Sequence, residues 1–151
     1  MKILLAVLLV TLAGCSKKAP DAAALEDQFR EMMTGAALVG HSTFDNRDNL
    51  SGEERYAIDG VTKLGGDTWM LRTRMRLGGH EVPLPIPVTV KWAGDTPVIT
   101  LTDASIPGFG TYTARVVLYR DRYAGTWSGS HGNGKNFGGQ LFGKIVHEHS
   151  Q

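Results

Sequence analysis

Residues Thr68–Leu77, TWMLRTRMRL, alternate with a period of two. Trp69, Leu71, Thr73, Met75 and Leu77 fall on one face, and Arg72, Arg74 and Arg76 on the other. Successive side chains of a strand point to opposite sides, so this is a half-buried β-strand with a basic outer face. Turn signals bracket it, Gly65-Gly66-Asp67 before and Gly78-Gly79-His80 after. Working outward, the same grammar repeats. On the N-terminal side, Tyr56 and Ile58 share one phase and Val61 and Leu64 another, with Gly60 between them; this predicts a bulge or bend. Before that, residues 36–44 are apolar and residues 46–53 (NRDNLSGE) read as a loop.

On the C-terminal side, Pro83, Pro85 and Pro87 interrupt the next segment. Proline cannot donate to a ladder, so an edge strand or an extended non-sheet segment is expected there before residues 88–92. Ala93-Gly94-Asp95 turns into residues 97–102, and residues 111–120 carry Tyr112, Ala114, Val116 and Leu118 on one face. Asp121-Arg122 connects to residues 123–128. The glycine-rich run 129–139 then leads to residues 140–147, where Leu141 and Ile145 alternate with Phe142 and Val146. About eight short strands with turn signals between them predict a mainly β fold, an antiparallel barrel or a sandwich. No helical period recurs between strands, which excludes a parallel α/β sheet. The one helical period precedes the strands: Leu25, Phe29, Met32 and Met33 line one face, Glu26, Asp27, Arg30 and Glu31 the other, and Gly35 stands as the C-cap.

At 151 residues the chain fits one domain, expected over residues 25–147. Lys and Arg number 16 and Asp and Glu 15, for a formal net charge of +1. This balance argues against a nucleic-acid partner, which needs a basic excess against phosphates. Cys15 is the only cysteine, so no internal disulfide framework is possible. Met1-Lys2 is followed by an apolar run through Val10, shorter than the roughly 20 residues of a spanning helix. Small residues close it, the pattern of a signal peptide over residues 1–14. Residues 16–24 (SKKAPDAAA) read as a flexible tether.

Leu12-Ala13-Gly14-Cys15 resembles the lipobox of bacterial lipoproteins at all four positions. The resemblance implies cleavage before Cys15, lipidation of its thiol and anchoring to the membrane of the cell envelope. Ser16 stands where an aspartate favours inner-membrane retention, so the outer membrane is the expected location. The later strands, with Trp92-Ala93-Gly94-Asp95, Pro107-Gly108-Phe109-Gly110 and Tyr123-Ala124-Gly125-Thr126-Trp127, resemble a group of small uncharacterised exported bacterial proteins, many from planctomycetes. Gly125-Thr126-Trp127 is also similar to the Gly-x-Trp element of lipocalins and avidins, which lies on their first strand and here sits near the last. That likeness implies a β-barrel and nothing about a ligand.

Catalytic motifs are not found. The run 129–139 lacks the Gly-Lys-Ser/Thr ending of a phosphate loop, and no Gly-x-Ser-x-Gly elbow is present. His147 and His149 lie on one side of an extended chain and could share a metal, but at a terminus prone to fray. His131 has no carboxylate nearby in sequence. No catalytic residue, metal site or cofactor is assigned. The expectation is a lipid-anchored, non-enzymatic β-domain that binds a small apolar ligand or an envelope partner. In a barrel, Trp69, Leu71, Tyr112 and Val116 would line the ligand cavity. The alternatives are a hydrolase of envelope polymer or lipid, and a metal-binding lipoprotein.

Overall fold

The computed structural model describes residues 21–77, 80–108, 110–130 and 135–147. Cys15, the expected signal peptide, most of the tether, His131 and His149 lie outside the described residues. One helix, α1 (Ala22–Met33), precedes eight strands: β1 (Ala36–Ser42), β2 (Glu54–Gly65), β3 (Thr68–Leu77), β4 (His80–Ala93), β5 (Thr96–Ile106), β6 (Gly110–Tyr119), β7 (Arg122–Ser130) and β8 (Asn136–His147). Each strand pairs antiparallel with the next, and β1 pairs with β8, closing the sheet into an up-and-down barrel. Between barrel and sandwich, the two expected architectures, the chain adopts the barrel.

The helix begins at Ala22, three residues before the expected domain start, so residues 22–24, read from sequence as tether, are helical. Asp21 is the reason. Its carboxylate accepts from Ala23 N at 3.3 Å and caps the first turn, and the alanines that follow are the best helix formers. Gly35, at φ 72°, takes the left-handed turn that ends the helix, and its N–H donates to Ile58 O. Leu25, Phe29 and Met33 are buried, and Phe29 meets Trp69 edge-on at 5.1 Å and Trp92 at 6.4 Å. The helix therefore plugs one end of the barrel. The core runs from Phe29 and Met33 through Trp69, Leu71, Val88, Val90, Ile99, Val116 and Leu118 to Ile145. An eight-stranded barrel has an interior that side chains can fill, and this half is filled.

The bulge expected at Gly60 is present as a register shift between Ile58 and Gly60, and the guanidinium of Arg72 covers Gly60 from outside. A second shift lies between Leu101 and Ala104, where Asp103 adopts φ 48° and its N–H donates to Thr113 Oγ1 at 3.0 Å. The proline run lies within β4, not outside the sheet. It pairs with β3 throughout, but pairing with β5 begins only at Thr89. N–H groups alternate sides along a strand, and Val90 N donates toward β3 at Asp67 O. The odd-numbered positions face β5, so all three missing donors fall where no neighbour asks for them. Leu84, Ile86 and Val88 keep the inward phase.

Candidate functional site

Three polar or aromatic groupings are built on this frame, at the end of the barrel opposite the helix and on its outer wall. The first is inside. Glu54, at the start of β2, is two residues from Tyr56 and so shares its inward face. Its carboxylate accepts from Tyr56 Oη and from Ser42 Oγ, both at 2.8 Å. Ser51 clamps the same corner, accepting from Ser42 N at 2.8 Å through its hydroxyl and donating its own N–H back to Ser42 O. Tyr123 reaches toward this group from β7 across two glycines. A Cβ at Gly40 would stand 2.7 Å from its hydroxyl, and one at Gly143 2.8 Å from its ring.

Burial, and then the charge and hydrogen bond of Glu54, push the Tyr56 phenol far above its ordinary range. Burial, followed by the Glu54 charge, pushes Tyr123 up to about 12. Both phenols are thus held neutral, Tyr56 as a hydrogen-bond donor to Glu54, and are unsuited to serve as bases or nucleophiles at neutral pH. The chemistry of this cluster is cohesion: it ties β1, β2 and the 43–53 loop together.

The second grouping is aromatic and rims the open end. Trp127 meets Phe44 at 5.6 Å and Phe137 at 5.7 Å, and Phe137 meets Tyr112 at 5.9 Å. The indole N–H of Trp127 is buried and has no hydrogen-bond partner among the described residues. Arg47 lays its guanidinium 3.5 Å over Phe44, closing the rim from outside.

The third lies on the outer wall. The register puts Thr113 opposite Ser128, Arg115 opposite Thr126, and Thr126 opposite Gln140, so these side chains share one face across β6, β7 and β8. A groove of about 340 Å³ runs over them and reaches Asp45 and Trp127; a second of about 230 Å³ continues past Asp45 and Ser128 to Asn46, Asn136 and Phe137.

The four residues expected to line a ligand cavity are separated by the fold. Trp69, Leu71 and Val116 are buried in the helix-plugged core, whereas Tyr112 is half-buried at the open end. None of them lines either groove. At Arg72 and Arg74 the basic stripe is a solvated face, as its alternation suggests. Arg74 bridges Asp59 on β2 at 2.9 Å and Glu81 on β4 at 2.7 Å, and Arg72 bonds Thr62. Among the described residues no three His, Cys, Asp or Glu side chains gather as metal ligands. His41 sets Nδ1 3.2 Å from Ser51 O. No helix of the described residues is long and apolar enough to cross a membrane.

Sequence reading missed the Glu54 cluster and the outer grooves. The first had a signal, a carboxylate in phase with Tyr56 and Ile58. The second had none, because it depends on register across three strands. In class, the molecule is a closed eight-stranded antiparallel barrel with a helical plug. Comparison with family models, with curated protein sequences and with solved structures returned no match.

Proposed function

We propose that the protein is a lipid-anchored, non-enzymatic module of the bacterial cell envelope, held through Cys15 and recognising an envelope component by its open end and outer wall. The observation that carries the recognition half is the plug. Phe29 is fully buried against Trp69, occupying the space where an apolar ligand would lie. The Glu54 cluster, the aromatic rim and the outer grooves lie at the other end and on the wall beside it. This favours an envelope partner over a small ligand held between Trp69 and Val116. The lipobox tetrad and the lone cysteine support the anchor, since two or more acyl chains give stable membrane attachment.

Metabolic labelling with an alkynyl fatty acid, followed by membrane fractionation, tests the anchor. Label and membrane partition should both be lost in Cys15→Ser, and a labelled or membrane-bound Cys15→Ser protein would overturn it. Titration with an apolar fluorophore tests the other half. Saturable one-to-one binding that Val116→Trp abolishes would restore the interior-ligand reading.

A further inference from the structure

We propose that the outer face of β6, β7 and β8 is a binding site for a neutral oligosaccharide. The two grooves share Asp45 and Ser128 and so form one trench, with a combined volume in the range of ligand sites. Gly138 keeps it open at the junction: a Cβ there would come 2.8 Å from Trp127 O and 3.2 Å from Asp45 Oδ2.

The polar groups around the trench are unspent. The hydroxyls of Thr126 and Ser128 and the carboxamides of Asn136 and Gln140 bond no other described residue, in contrast to Thr113, which is tied to Asp103. Hydroxyl and carboxamide side chains both donate and accept, the complement of a ring of sugar hydroxyls. The charges point the same way. Arg115, the one cation on the trench among the described residues, already donates to Leu101 O at 2.6 Å, Ala114 O at 2.8 Å and Thr102 Oγ1 at 2.9 Å. Asp45 stands at the junction with no ion-pair partner among the described residues, which disfavours phosphate and acidic sugars. A lone carboxylate is too few ligands for a cation site. The rings of Trp127 and Phe137 point to the inner, rim side of β7 and β8, so only their backbone borders the trench and recognition falls to the hydroxyl and carboxamide groups.

The inference deepens the envelope-module reading by naming the chemistry of the partner. Its test is isothermal titration of the full-length chain, in a sugar-free zwitterionic detergent, against tetrasaccharides built on glucose, mannose, galactose and N-acetylglucosamine. At least one should bind saturably. Gln140→Ala and Ser128→Ala should each weaken it about tenfold, the loss of one or two ligand hydrogen bonds, and Thr126→Trp should abolish it by filling the trench. Glu31→Gln, on the exposed side of the helix, should bind as the parent does. Far-UV circular dichroism confirms that each variant is folded. Absence of binding by every tetrasaccharide, or binding that these three trench variants leave unchanged, overturns the proposal. Cys15→Ser separates the two readings, because it should leave the affinity intact while releasing the protein from the membrane.

Discussion

Glu54 shows how much one side chain can hold. It accepts two hydroxyl hydrogen bonds in a half-buried corner, so Glu54→Leu leaves Tyr56 and Ser42 without an acceptor and should cost about 1–3 kcal/mol in urea unfolding. Glu54→Gln, which keeps one carbonyl acceptor, should cost less. The phenols give a pH signature. Tyr123 ionises at a higher pH in the folded chain than at the usual 10 of an unfolded tyrosine. The stability it contributes is therefore complete below pH 10 and lost as the pH rises toward about 12. Urea midpoints taken across that alkaline window should fall less steeply in Tyr123→Phe than in the parent. Glycine at 143 is demanded by space: a Cβ would stand 2.2 Å from Val39 O. Gly143→Ala should destabilise by about 1–3 kcal/mol, visible as a lowered thermal midpoint, because a backbone cannot yield as a side-chain tip can.

Among the elements, α1 and β4 behave in opposite ways. The helix depends on a single buried face, so Phe29→Ala should cost about 3–5 kcal/mol and change the near-ultraviolet dichroism of Trp69. In β4, the prolines protect an open seam. Replacing Pro83 and Pro85 together by threonine restores two unpaired donors facing the gap before Thr89. Stability should change little, while size-exclusion chromatography should show new association through that edge. Legibility from sequence differed element by element for physical reasons. The strand Thr68–Leu77 was readable because burial on one side writes a period of two. The bulge at Gly60 was readable because it breaks that period. For the proline run the sequence leaves an edge strand and a non-sheet segment both open, because the choice depends on which neighbour stops short. The unpaired stretch beside β5 has no trace in β4 itself. Trp69 and Tyr112 carried the same inward phase, and only the helix, which covers one end alone, separates a core residue from a rim residue.

For the whole molecule, closure is the governing fact. Ala36 pairs with His147, the most distant partners in the sheet, so β1 stays paired on one side only until β8 docks. Seven of the eight seams join neighbours in sequence and can form locally; the eighth waits for the full length of the domain. Contacts of such separation slow folding, because loop closure is paid for before it is rewarded. Were the chain exported through a translocation pore, as the proposed anchor requires, this delay would be useful. A nascent chain lacking β8 cannot seal, and an unsealed meander remains in the pliable state that passage through a narrow channel demands. The same last seam that closes the barrel would thus set the moment at which the chain becomes untransportable.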